Sequence, residues 1–352
     1  MKFNKNVKIL ILSVVVVLCL LAGFVVYQGG PCDKNNDKNI IVEIPMGSTI
    51  NDVSKILKEN NLIKNEFVFK MNVRIKNSHS DMKSGKYQLN QTYSNSDIID
   101  TLVSGKIYQD GIKITIPEGS TSNEIIDLLV KKELGTEEEY KNLVKNPSTF
   151  YDEFEFLKQD DIKTLEGFLY PSTYYFKEES KPEDVLREMI RLFDTNYTDE
   201  FEKQRKTKDM TLQEIVSLAS IVEKEAVFDE DRPIIASVFY NRLEEDMLLQ
   251  SDATIQYIFD TRKKSITYKD LKIDSPYNTY VKKGLPPTPI SNPSQKSIEA
   301  VLYPEDTNYL YFVATIEGGN VYSETYEEHK KNVAKYRNDR DKRNEEYEKQ
   351  SK

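Results

Sequence analysis

The sequence predicts an α+β protein in three parts: an N-terminal transmembrane helix, a small α+β module and a larger mixed α/β domain. Three observations predict it. An unbroken apolar run near the N-terminus gives way to a polar linker, and a strand–turn–helix pattern then occurs twice. Beyond the second copy, apolar residues follow helical spacing, interrupted by loops rich in Asn, Tyr and Pro.

Residues Ile9 to Val26 are apolar apart from Ser13. At ~1.5 Å per residue the run spans roughly 27 Å, close to the hydrocarbon thickness of a bilayer. Lys2, Lys5 and Lys8 precede it with no cation just after, which places residues 1–8 in the cytoplasm by the positive-inside rule. A cleaved signal peptide is the alternative. The run is long for one, and Tyr27-Gln-Gly-Gly-Pro-Cys32 lacks a small-x-small cleavage pattern. Residues 9–27 are therefore read as an uncleaved cell-membrane anchor, residues 28–39 as a polar linker, and everything beyond as extracytoplasmic.

The repeat pairs Ile41 to Ile63 with Ile114 to Gly135, Pro45 matching Pro117. Each copy reads as a short strand, a Pro-x-Gly-Ser-Thr turn and an amphipathic helix. Ser48 or Thr49, and Ser120 or Thr121, are natural N-caps, with Asp52 and Glu124 in the first turn. Val53, Ile56, Leu57 and Ile125, Leu128, Leu129 keep helical spacing. Between the copies, Ser84 to Thr92 alternates as a strand and Ser94 to Leu102 reads as a helix, so residues 40–110 form a compact module. The strand–helix unit with its Gly-Ser/Thr turn resembles a LysM-type glycan-binding module. A capped strand–helix turn is also common and purely structural in most proteins.

Residues 111–336 make up the larger domain. Pro182 to Phe193 is a helix with proline at its start and Val185, Leu186, Met189, Ile190 and Phe193 on one face. Thr211-x-x-Glu214 is a capping box opening the helix that ends LASIVEKEA (Leu218 to Ala226). Arg232-Pro233 starts another helix, to about Glu245. Tyr309 to Thr315 reads as a buried strand, and Glu317 to Asn320 as a hairpin turn leading to Val321-Tyr322. Residues 337–352 are nearly all charged and form a solvated tail, helical or frayed.

Bulk properties exclude several functions. A net charge of −9 without a basic patch argues against nucleic-acid binding. His79 and His329, Cys19 and Cys32 sit far apart, so no zinc spacing and no Cys/His nucleophile pair can be built. Neither cysteine follows the small-residue pattern of a lipid-modified one. No metal, cofactor or disulfide is expected.

The chemistry points to Glu223 and Glu225. On a helix, Glu225 neighbours Leu218, Ile221, Val222 and Phe228, whereas Glu223 neighbours Ala219, Ser220, Ala226 and Val227. A bulkier apolar collar desolvates a carboxylate and keeps it protonated near neutral pH, which favours Glu225 as a proton donor. Lys224 falls on the side away from the apolar neighbours. Downstream lie Asn241, Arg242, Gln250, Ser251, Asp252 and Thr254, then Tyr277 to Tyr280, then the stiff loop Gly284 to Pro289. With 22 tyrosines and no tryptophan, Tyr must supply any ring stacking. An apolar helix delivering one carboxyl into a polar, Tyr-rich cleft is what acid catalysis on a sugar bond requires. Taken singly, each of these residues is as well explained as a turn, a cap or a solvated helix end.

Five stretches carry a family resemblance: GFLYPSTYYF (Gly167 to Phe176), LASIVEKEA, ASVFYNRLEEDMLLQSDATIQY (Ala236 to Tyr257), YNTYVKKGLPPTPISNP (Tyr277 to Pro293) and YLYFVA (Tyr309 to Ala314). In this order they resemble the MltG (YceG-like) family of membrane-anchored endolytic murein transglycosylases. The resemblance implies that the second glutamate of Glu-Lys-Glu, Glu225, is the catalytic acid. It implies cleavage of the β-1,4 bond between MurNAc and GlcNAc without water, leaving a 1,6-anhydro end, and a role in ending nascent strands beside peptidoglycan synthases. Gln250, Asp252, Asn278 and Thr279 are the expected sugar contacts, and Glu166 the expected supporting carboxylate or a structural acceptor. Two departures stand out. Ala253 replaces a proline common in relatives, which is expected to shift a turn rather than the chemistry. Tyr170 and Tyr174 stand where relatives often have Trp, which is expected to weaken sugar stacking. The rival readings are a non-enzymatic glycan-binding scaffold that recruits synthases, and a lysozyme-type hydrolase with Asp252 or Glu166 activating water.

Overall fold

The structure, a computed structural model, describes residues 5–78, 81–108, 110–259 and 261–350, with side-chain surroundings for those between 11 and 345. His79 lies outside the described residues. The chain divides into two compact units, Met1–Asp110 and Gly111–Lys352.

In the first unit the apolar run lies within helix α1 (Lys5–Gly29). Among the described residues this is the one helix long and apolar enough to cross a membrane. The candidate span is Ile11–Gly29, with mean hydropathy 2.6 and none of it buried by protein. Leu12, Leu18, Leu20 and Phe24 stand exposed along it, apolar surface that a bilayer would cover. The rest of the unit runs β1 (Ile40–Ile44), α2 (Ile50–Glu59), α3 (Glu66–Ile75), β2 (Gly85–Leu89) and α4 (Asn95–Ser104). β1 and β2 pair antiparallel, Ile40 opposite Leu89 and Ile44 opposite Gly85. Strand alternation sends Val42, Ile44, Tyr87 and Leu89 inward, where they meet Leu57, Phe69, Ile98 and Leu102.

The second unit opens with the same order of elements: β3 (Ile112–Thr115), α5 (Ser122–Lys131), α6 (Glu137–Lys145), β4 (Thr173–Phe176) and α7 (Pro182–Asn196). β4 returns antiparallel to β3, Ile112 opposite Phe176. The connection from α6 to β4 is longer than its counterpart and holds two short 3-10 turns, Pro147–Phe150 and Glu155–Lys158. The repeat seen in the sequence is thus a repeat of local geometry. In both copies the Ser amide and hydroxyl bond back to the Pro carbonyl, the hydroxyl at 2.7 Å. Gly47 and Gly119 take φ of 80° and 72°, which glycine adopts without strain. With the serines closing the turns, Thr49 and Thr121 are the N-caps, each in a capping box with Asp52 or Glu124.

The chain continues through α8 (Asp199–Lys206), α9 (Leu212–Glu225), α10 (Arg232–Glu244), α11 (Asp252–Tyr257), α12 (Gln295–Leu302), the hairpin β5 (Tyr311–Ala314) and β6 (Asn320–Ser323), and α13 (Tyr326–Gln350). Helix α9 is the axis of this unit. Every residue from Leu212 to Val222 except Glu214 is buried, because α10, α11 and α12 surround it. One expectation needs correction. The strand at Tyr309 to Thr315 is half-buried, since a two-stranded hairpin leaves one side open. The charged tail is helical, the continuation of α13 through Tyr336.

Candidate active site

Three consecutive side chains at the end of α9 take three directions. Glu223 turns inward. Its Oε2 accepts hydrogen bonds from the Ser294 amide (2.9 Å) and hydroxyl (2.5 Å) and from the Ser297 hydroxyl (2.8 Å), and Arg232 Nη1 lies 3.1 Å away. These bonds tie α9 to the starts of α10 and α12 and occupy the acceptors a substrate would need. Lys224 Nζ donates to the Gly119 carbonyl at 2.9 Å. Glu225 faces a cavity of about 540 Å³.

The cavity has walls from five places: the first turns of α5 (Thr121, Asn123, Glu124, Asp127), the end of α9 (Lys224, Glu225), α11 with Asp252, Ala253, Gln256 and Tyr257, the segment after α11, and Ile290 before α12. A shallower groove of about 520 Å³ along the Pro117–Ser120 turn shares Glu124, Asp127 and Lys224 with it. The two cavities therefore adjoin at these three side chains. Among the described residues no group of three or more His, Cys, Asp or Glu is placed to hold a metal ion.

Glu225 Oε1 accepts from the Ser251 hydroxyl at 2.5 Å, and the Ala253 amide is a second donor. Burial drives its pKa above the usual carboxylate range; the two donors oppose this, and the charge of Asp252 adds to it. The side chain keeps partial solvent access, as a group on the floor of a cleft does. Its position at the negative end of α9 acts in the same upward direction. The collar is not the expected one. Ile221 and Val222 are buried behind the carboxylate. Helix α9 stops at Glu225, however, and extended Ala226 (φ −83°, ψ 129°) leads the chain away, so Phe228 packs beside Gly318 and Gly319.

Ser251 occupies the N-cap position of α11 yet makes no capping bond, because its hydroxyl is turned to Glu225. Thr279 holds it there. The Thr279 hydroxyl accepts from the Ser251 amide (3.1 Å) and lies 2.8 Å from the Thr254 hydroxyl, while its carbonyl accepts from the Gln250 amide (3.1 Å). Gln250 has φ of 54°, left-handed backbone that costs a non-glycine residue on the order of 1 kcal/mol. The clamp by Thr279 keeps it in place.

The residues expected at the site therefore separate. Asp252 lines the cavity, its Oδ1 accepting from the Tyr280 hydroxyl at 2.6 Å. Gln250 is exposed but is not part of the cavity wall. Asn278 and Thr279 are buried inside the loop. Asn278 Nδ2 donates to the Leu271 and Ile273 carbonyls and its Oδ1 accepts from the Tyr280 amide, so neither residue is free to meet a sugar. Tyr170 and Tyr174 do not line the cavity either. The Tyr174 hydroxyl is spent on the Tyr170 carbonyl and its ring stacks on Phe176. Aromatic surface in the cavity comes from Tyr257 and Phe259 instead. Ala253 also matters more than a turn, because a proline there would have no amide to offer Glu225.

Glu166 lies behind the wall. It is 4 % exposed and accepts from the Ser122 amide at 3.0 Å, Asn292 Nδ2 at 3.0 Å and the Tyr257 hydroxyl at 3.1 Å. Asn292 is a junction that sequence reasoning passed over, though it sits in one of the quoted stretches. Its Oδ1 accepts from the Gly167 and Leu169 amides and its Nδ2 also reaches the Ser120 carbonyl. At Gly167 (φ 92°) a Cβ would lie 2.5 Å from Pro289 Cγ, so only glycine lets the two loops close on each other. Burial pushes the Glu166 pKa up to about 7 against the hydrogen bonds from Ser122 and Tyr257. The unfolded chain titrates near 4.5, so the folded state holds this proton more tightly. Stability from this group is full below pH about 4.5 and is lost as pH rises to about 7, a decline of about 3 kcal/mol. Glu166→Gln should flatten the melting temperature between pH about 5 and 7. Parallel curves for the two proteins would refute the assignment.

The model of the YceG-like family matches residues 42–335. This chain belongs to the YceG-like family. It is 36% identical over 319 residues to the endolytic murein transglycosylase of Bacillus subtilis (strain 168), covering 87% of each chain. It is 34% identical over 366 residues to that of Streptococcus pneumoniae serotype 2 (strain D39), covering 95% of this chain and 66% of the longer relative. A crystal structure of a YceG-like protein from Listeria monocytogenes is 38% identical, with a TM-score of 0.58, covering 84% of this chain and 99% of that one.

Proposed function

We propose that this YceG-like chain is a single-span, membrane-anchored lytic transglycosylase of murein. It would cleave the MurNAc-β-1,4-GlcNAc bond inside nascent glycan strands and leave 1,6-anhydroMurNAc ends. The observation that carries the reading is Glu225: a carboxyl with raised proton affinity, held by Ser251 and Ala253, facing a cavity that adjoins a second groove. Names of relatives such as the Bacillus subtilis endolytic murein transglycosylase support the substrate class.

Glu225 gives its proton to the glycosidic oxygen as the C1–O bond breaks, the bonding pair leaving with that oxygen, and charge develops at C1. The C6 hydroxyl of the same MurNAc then closes on C1, and its proton passes to Glu225, restoring the acid. The nucleophile is part of the substrate, so high effective concentration replaces an activated water. Asp252 and Tyr280 lie beside Glu225 and help to place the saccharide. Helix α1 would hold the catalytic unit outside the membrane, near newly made strands and their synthases. The first unit, with its strand–helix–helix–strand order, would act as a LysM-like glycan holder.

The test is incubation of the intact protein in detergent with purified glycan strands, with mass spectrometry of the products. Ends lighter than reducing ends by one water are expected. Reducing ends would move the reading to a hydrolase, with Asp252 as the group that activates water. Binding without cleavage would favour a scaffold. A pH profile adds a check on the acid. Because Glu225 must start protonated, the rate should fall as pH rises through its pKa. The Ser251 bond lowers that pKa, so Ser251→Ala should move the alkaline limb to higher pH and, by loosening the carboxyl, reduce the peak rate roughly tenfold. An unmoved limb would separate Ser251 from the acid.

A further inference from the structure

One wall of the cavity has chemistry that bond cleavage does not use. The segment after α11 is braced from within. Lys263 Nζ is 2.6 Å from Asp270 Oδ1 and 3.9 Å over the Phe259 ring, and Gln256 bonds both the amide and the carbonyl of Lys263. Its two neighbours behave differently. Arg262 and Lys264 line the cavity, and among the described residues neither has a carboxylate within ion-pair distance. The contrast is informative in a chain of net charge −9, where Lys282, Lys283 and Lys296 nearby in sequence each have an Asp partner. With Lys263 engaged by Asp270, Arg262 and Lys264 are the cations left facing the cavity, and an Arg fork is suited to planar carboxylates.

The sugar hydroxyls of murein are neutral. Its carboxylates sit on the muramyl side branch, on the lactyl group of a peptide-free strand or on the stem peptide of a substituted one. Resting on the murein reading above, we propose that Arg262 and Lys264 form a carboxylate-reading wall that selects strands by their charged muramyl branches. The wall sets specificity and takes no part in proton transfer.

The experiment uses the intact protein and three strand preparations: peptide-bearing and uncross-linked, amidase-treated with a free lactyl carboxylate, and amidase-treated with that carboxylate converted to a methyl amide. The expected kcat/KM ratio of carboxylated to neutral strands is roughly tenfold for the wild type. It should fall toward one in R262Q/K264Q and below one in R262E/K264E, with the change in KM rather than kcat. A preference for the peptide-bearing strand alone makes the stem peptide the source, a preference for the free-lactyl strand alone makes it the lactyl group, and equal preference for both means that either carboxylate is read. Wild-type ratios retained in both variants would overturn the proposal. Failure of the wild type to cleave any of the three would overturn the murein reading, and the proposal with it.

Discussion

Replacing Glu225 with Gln is expected to lower kcat on glycan strands about a thousandfold or more while leaving the melting temperature close to wild type. The size follows from its double duty. One carboxyl both donates a proton to the leaving oxygen and accepts one from the incoming hydroxyl, and each role contributes on the order of 10²-fold to 10⁴-fold. Gln can still accept from Ser251 and the Ala253 amide, so the end of α9 keeps its partners. Substrate affinity should change little. Product release followed by chromatography, with melting in parallel, checks both halves. A variant that folds and still cleaves would remove Glu225 from the mechanism and leave Asp252 as the carboxyl facing the cavity.

The sequence carried this assignment part of the way, and the reason lies in what each residue type can do. Periodicity and caps are local, so the helix ending in Glu-Lys-Glu and the repeated strand–turn–helix could be read directly. The choice between Glu225 and Glu223 was legible only as a difference in apolar neighbours. It rested partly on Phe228, which the structure places elsewhere because the helix stops three residues earlier. The polar loops were less readable. Asn and Thr that could hold sugar hydroxyls could equally hold a loop, and nothing in the order of residues shows which acceptors a backbone fold will supply. Asn278 and Thr279 spend their valences on the chain itself, and what they build is the position of Ser251. Arg262 and Lys264 had no motif to mark them. Only the folded chain shows that both line the cavity while Lys263 between them pairs with Asp270.

Glu223 supplies the complementary expectation. Glu223→Ala should leave the chemistry with its acid but cost the second unit about 3 kcal/mol of stability. The Glu223 side chain is 6 % exposed and that of Arg232 8 % exposed, and removing one partner of a buried pair strands the other's charge. Asp229 Oδ1, at 3.1 Å from Arg232 Nε, remains as partial compensation and keeps the loss at the low end of the usual range. The Ser294 and Ser297 hydroxyls would lose their acceptor as well, loosening the start of α12 where it meets α9. For a unit of this size the melting temperature should fall by roughly 6–12 °C. At temperatures where the variant is folded, its kcat should stay within a few-fold of wild type, because Glu225 keeps Ser251 and the Ala253 amide. The paired result distinguishes the two carboxylates: one variant is stable and inactive, the other active and fragile. If Glu223→Ala melted like wild type and lost cleavage, the acid would have to be reassigned to Glu223, and its bonds to Ser294, Ser297 and Arg232 would have to open on substrate binding.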